Sequence, residues 1–264
     1  MNPHSLPDLA VFDPTRLAQA RRQLISAVLW PARVAASFAA NPNAPSAALT
    51  WNNDRQAVTT PPFEQALQLE LRVPMLHMQF LEHGRPAPHV LDMDDRSPAH
   101  VEAWILVELL HRGVDRERFS KALPFEVQNA MWGDHEKFST ADYEAEIAAL
   151  SHWLVAGAEV LGEISPGTAI TVQPQTLSLT APMTLKRADG RSEPRQVVFS
   201  LGDVSLGDRP TAEPQFAVTL ETNGTVTPLR PETVLAASRV RREAMNPAAI
   251  ARVLEGGNSA AGAV

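Results

Sequence analysis

"LQLELRVPMLHMQFLE", residues 67–82, is the stretch on which the fold turns. Leu67, Leu69, Leu71 and Val73 alternate with Gln68, Glu70 and Arg72, the period-two pattern of a strand with one buried face. After Pro74 the extended pattern resumes, either as the second arm of a hairpin or as one long bent strand, until Gly84, Pro86 and Pro88 end it. The strand sits in an otherwise helical half. Asp13-Pro14 reads as an N-cap followed by proline at the first helical position, and Leu17, Leu24, Ile25 and Val28 recur at helical spacing. Pro31 breaks or kinks that helix after Trp30, and a loop rich in Asn, Pro and Ala follows from Asn41, running to Trp51. Ser97-Pro98 repeats the cap signal for a second helix that stops at Gly113 and is apolar enough to be packed on most sides. A third helix starts near Thr140, with Ser139 and Asp142 as a capping-box variant, and ends at Gly162.

Past Ser165-Pro166-Gly167 the composition changes from Ala, Leu and Glu to Thr, Val and Gln, in short alternating segments. Asp189-Gly190 and Asn223-Gly224 are hairpin signals between them. The pattern predicts an α+β protein, its helical N-terminal half packed on a mainly antiparallel sheet built largely from the C-terminal half. The stretch 67–82 joins that sheet, which makes residues 1–255 one domain: helix-rich over 13–162, strand-rich over 168–228, helical again over 232–254, with a disordered tail at 256–264. The competing division is two parts with a break near Ser165.

Charge and composition exclude several function classes. The chain carries a net charge of -7, and its one basic cluster, Arg239 to Arg242, fits a solvated helix face, so no nucleic-acid partner is expected. There is no cysteine, which removes disulfides, thiolate catalysis and cysteine metal sites. With neither a basic, apolar leader nor an apolar run near membrane-spanning length, the expectation is a cytoplasmic protein with no membrane partner. A small molecule or a protein is the expected partner, and a homo-oligomer stays open.

Seven of the eight histidines lie between His77 and His152. His77, His83, His89 and His100 with Asp92, Asp94 and Asp95 are the residue types that bind zinc or non-haem iron. Their spacing matches no ligand motif, and His83 and His89 fall in a Pro-rich turn, so neither metal nor other cofactor is expected. In Trp132-Gly133-Asp134-His135-Glu136, an Asp–His contact could orient His135 for base chemistry, against the simpler reading of a polar loop. Gly202-Asp203 and Gly207-Asp208 read as turn residues, or Asp208 and Glu213 as two carboxylates brought together where the chain re-enters the sheet.

Ser205-Leu206-Gly207-Asp208 and Glu213-Pro214-Gln215-Phe216-Ala217-Val218 resemble a family of uncharacterised bacterial proteins. In that family a Trp-Pro-His-His-Phe-Asp strand precedes a Ser-Pro-Gly-Asp turn and a Glu-Pro-Tyr-Phe-Tyr-Val strand. Leu123-Pro124-Phe125-Glu126, Phe138 and the Leu150 to Leu161 helix resemble its middle, so the likeness covers most of Leu24 to Val218. With Pro174 as the shared proline, Gln175 and Thr176 replace the two histidines and Ser178 the aspartate. The resemblance then implies a scaffold that has lost a metal or acid–base site, because glutamine and threonine neither ligate transition metals well nor shuttle protons near neutral pH. Two functions follow. One is a non-catalytic module that binds a small molecule or assembles with a protein, through a pocket lined by Trp and apolar side chains, with Gln175 and Thr176 at the old site. The other is a small-molecule hydrolase in which Asp208 and Glu213 act with His135 or His77.

Overall fold

The structure, a computed structural model, describes residues 7–41, 47–186, 192–202, 214–222, 225–228 and 234–236. They group into two compact units, one within Phe12–Ser151 and Val172–Leu177, the other within Met1–Val11, His152–Thr171 and Ser178–Val264. The fold is α+β with an antiparallel sheet.

In the first unit, α1 (Pro14–Ser37) begins where the sequence predicts: the Asp13 carboxylate accepts from the amides of Thr15 (2.9 Å) and Arg16 (3.0 Å). Pro31 does not end it. The helix runs through the proline, which withholds only its own hydrogen bond, and almost every side chain from Ala20 to Ala35 is buried there. Burial on this scale outweighs a single missing bond. The helix lies against β1 (Leu49–Asn52), β2 (Ala57–Thr59) and β3 (Leu67–Arg72). The first two strands are too short to give a period-two signal, and the sequence reading took β1 for the end of a loop.

The stretch 67–82 is a hairpin, β3 with β4 (His77–Glu82), Leu67 opposite Glu82 and Arg72 opposite His77. Extended structure does not stop at Gly84. His83 and Gly84 both take positive φ (52° and 76°), the tight turn that fits strand twist, and β5 (Arg85–Asp92) returns along β4 with Pro86 and Pro88 inside it. Prolines are tolerated because β5 ends the strand order β6-β1-β2-β3-β4-β5, where β6 is Thr171–Gln173.

The second helix, α2 (Pro98–His111), has Ser97 as N-cap and stops just before Gly113, as expected. It buries one stripe rather than most of its surface: Val101, Ile105, Glu108 and Leu109 face inward, while Val107 and Leu110 are exposed. The third, α3 (Glu144–Ile164), starts four residues later than predicted, so Ser139 and Asp142 do not cap it. The Ser139 amide instead donates to Gln23 Oε1, and the Asp142 carbonyl accepts from Arg16. Contrary to expectation, α3 is long and apolar enough to cross a membrane by length and composition, although its Ile147, Leu150, Leu154 and Leu161 are buried within the protein.

In the second unit, β7 (Ser178–Lys186), β8 (Ser192–Ser200), β9 (Gln215–Thr222) and β10 (Thr225–Pro228) pair antiparallel in sequence order. Thr222 stands opposite Thr225, on either side in sequence of the predicted hairpin signal Asn223-Gly224. Both that pair and Asp189-Gly190 lie outside the described residues. Val234–Ala236, expected to be helical, instead forms β11, paired antiparallel with Ala217 to Gln215 of β9. The rest of the predicted C-terminal helix and the tail lie outside the described residues.

Two predictions test this packing. A Cβ on Gly157 of α3 would overlap the ring of Phe199, which is buried on β8 and tilted against Phe216 at 4.9 Å between centroids. Gly157→Ala should therefore cost about 1–3 kcal/mol from overpacking despite a helix-propensity gain of about 1 kcal/mol. A urea denaturation midpoint measures it, and adding Phe199→Leu should recover part of the loss. In the first unit, buried Glu146 is bonded by Arg16 at 2.6 Å, which holds its carboxyl below the ordinary value of 4.5. A depressed carboxylate contributes stability above the unfolded pKa and loses it as pH falls through the folded one. Glu146→Gln should be less stable than the parent at pH 7, and that difference should shrink as thermal melts are repeated below pH 4.5.

Candidate functional site

The residues singled out in the sequence do not assemble among the described residues. Asp208 and Glu213 lie outside them, so the carboxylate pair of the hydrolase reading has no described partner. His77 is on β4 and faces Asp92 across the hairpin at 3.7 Å. His135 is exposed in the turn Gly133–His135, and Asp134 does not orient it: Asp134 Oδ1 accepts from Ser97 Oγ (3.3 Å). Glu136 pairs with Arg22 at 2.8 Å. Gln175 and Thr176 are half-buried in the turn after β6, where the Thr176 carbonyl accepts from Arg21 at 3.2 Å. His89 is on the strand β5, not in a turn.

What the structure does bring together is a cation between two indoles. Trp30 and Arg33 are three residues apart on α1 and therefore share a face. The Arg33 guanidinium carbon lies 4.3 Å from the Trp30 ring centre and 4.7 Å from that of Trp132. Trp30 is buried, Arg33 is only 1% exposed, and Trp132, at 51% exposure, forms the outer cover.

The cover belongs to residues 129–139, which have no regular secondary structure, and polar side chains of α1 hold that segment. Arg22 Nε donates to the Asn129 carbonyl at 2.7 Å. Ser26 Oγ accepts from the Met131 amide at 3.0 Å, and Gln23 Oε1 accepts from the Ser139 amide at 2.8 Å. From the other side, the Gly133 carbonyl accepts from the Ala99 amide at 3.3 Å. Trp132 thus sits between two anchored neighbours while its own ring contacts the cation.

Among the described residues no anion meets Arg33, and neither Nε nor Nη2 has a hydrogen-bond partner, although both are shielded from solvent. Glu102 favours the charged form from a distance, but its ion pair is with Lys121. Burial lowers the Arg33 pKa from its ordinary value to about 10, so it remains charged at neutral pH. At about 1.4 kcal/mol per pKa unit, keeping it charged there costs on the order of 3 kcal/mol. The indole faces recover part of this, on the order of 2 kcal/mol for a desolvated cation–π contact. They cannot satisfy donors that point outward in the guanidinium plane. That edge is a planar fork matched to a carboxylate or phosphate.

Sequence reasoning noticed Trp132 only as the start of an Asp-His-Glu cluster and passed over Arg33. The available signal was the Trp30-x-x-Arg33 spacing inside a run of otherwise buried positions. Comparison with known protein families, with curated proteins and with solved structures finds no match.

An unpaired buried cation makes a stability prediction. Arg33→Met, similar in length and apolar, should stabilise the free protein at pH 7 by about 1–3 kcal/mol, read as a higher urea midpoint. A folded pKa below the unfolded one means that the unfolded chain holds the proton longer as pH rises above about 10, so the parent gains stability there. The advantage of Arg33→Met should narrow there. A variant less stable than the parent would mean that the tryptophan faces alone satisfy the cation.

Proposed function

We propose that this chain is a non-catalytic small-molecule-binding protein that takes an oxyanion, a carboxylate or a phosphate, on Arg33. One observation carries the reading: a buried guanidinium lying over two indole rings, whose Nε and Nη2 have no acceptor among the described residues. An arginine kept at such cost, where Met would pack, is explained by an acceptor that arrives from outside. The indole rings add apolar surface on both sides of the fork, so the ligand class is an anion carrying an apolar or aromatic body. Entry is past Trp132, whose ring is half exposed and lies against Arg33. Binding without chemistry agrees with the sequence expectation that Gln175, Thr176 and Ser178 stand where a reactive set once stood.

Titration with benzoate, short dicarboxylates and inorganic phosphate, followed by intrinsic tryptophan fluorescence, tests it. At least one oxyanion should give a saturable change that is lost in Arg33→Met and weakened about 10-fold or more in Trp132→Ala, the size of one charge-assisted hydrogen bond or one stacking contact. The absence of a saturable response to any of them, or a response that survives Arg33→Met, would overturn the proposal.

A further inference from the structure

Away from Arg33, three potential ligands converge at the end of α2. Glu108 and His111 are three residues apart on the helix, which places them side by side on one face. His89 reaches the same point from β5: its Nδ1 is 3.0 Å from Glu108 Oε1, and Nδ1 of His111 is 3.7 Å from the same oxygen. One ligand atom from each residue fits within 4.8 Å of the others. Metal–ligand bonds of about 2.0–2.1 Å at tetrahedral angles put neighbouring ligand atoms about 3.3 Å apart, between the two separations found here.

The geometry points to a divalent-metal site, with zinc the ion it suits best, held by His89, Glu108 and His111. Two imidazoles and one carboxylate are a borderline donor set, which favours zinc over calcium or magnesium. The carboxylate is prepared for this by its other neighbour. Arg112 Nη1 donates to Glu108 Oε2 at 2.6 Å and to the Glu108 carbonyl at 2.9 Å, so Oε2 is occupied and Oε1 is turned towards the histidines. Arg112 is itself fixed by Glu82 at 3.0 Å and by lying over the Phe80 ring. A ligating carboxylate held by a second residue is the usual outer support of such a site. Glu108 is buried, whereas the side chains of His89 and His111 are 60% and 56% exposed. The ion is therefore bound from the solvent side and completes its coordination with water. Simple pairing of the two histidines with Glu108, without an ion, is the competing account.

The site is independent of the anion proposal, and the experiment keeps them apart. Purified full-length chain, stripped with chelator, is titrated with Zn2+ at pH 7.5 by calorimetry and with Co2+ by visible absorption. One equivalent should bind at micromolar concentration or below, with cobalt giving the absorption of a four- or five-coordinate ion. His89→Ala and His111→Ala, both at exposed positions and so expected to fold, should each weaken zinc binding 10-fold or more. Glu108→Gln should do the same, with circular dichroism to check its fold, since it leaves Arg112 half-paired. His135→Ala and Arg33→Met should bind zinc as the parent does. No stoichiometric binding, or binding indifferent to His89→Ala and His111→Ala, would overturn the inference.

Discussion

The first unit depends on side chains of α1 that do the work of secondary structure for another segment. Residues 129–139 have no helix or strand to satisfy their backbone, and a buried amide without a partner costs as much as a lost hydrogen bond. Gln23, Ser26 and Arg22 supply partners more than 100 residues away in sequence. These polar groups lie on the part of α1 that is mostly buried, from Ala20 to Ala35, and that segment supplies their partners. The same bonds fix the height of Trp132 over Arg33. The candidate site therefore follows from the way a buried polar face and an irregular loop complete each other.

Buried charge is handled in two ways within this unit, and the contrast gives Arg33 its meaning. Glu70 on β3 is 1% exposed and is met by Arg55 at 2.6 Å and Arg72 at 3.4 Å, both of which keep part of their side chain in solvent. The charge of such a group is balanced by its neighbours. Arg33 is buried as deeply, with two indole rings against it and, among the described residues, no oxygen on its Nε or Nη2. If depth alone explained buried charge in this chain, the two would be surrounded alike.

Legibility in the sequence tracked the range of the chemistry. Asp13-Pro14 and Ser97-Pro98 announced their helices because a cap is a bond between residues two or three apart. Alternation over 67–73 announced β3 for the same local reason. Pro31 and the prolines of β5 misled, since what decides a proline's effect is whether the missing donor was needed, and that is set by burial and by position in the sheet. The partnerships at both proposed sites are long-range. Trp30-x-x-Arg33 and Glu108-x-x-His111 were visible as spacings, but Trp132 and His89 come from other elements. His89 was noticed among the histidines, yet the residues it meets lie beyond the stretch that drew attention to it.

The two prolines of β5 carry one more consequence. A strand that pairs on one side only displays amides and carbonyls that any other extended chain can adopt as a template. Pro86 and Pro88 remove two amides from β5, and Arg85 and His89 flank them with polar bulk. A second polypeptide laid along this edge would meet gaps in the ladder where donors should be. The edge is in this way protected against growth of the sheet from one molecule into the next, and crowding or partial unfolding would have to find another starting point for aggregation.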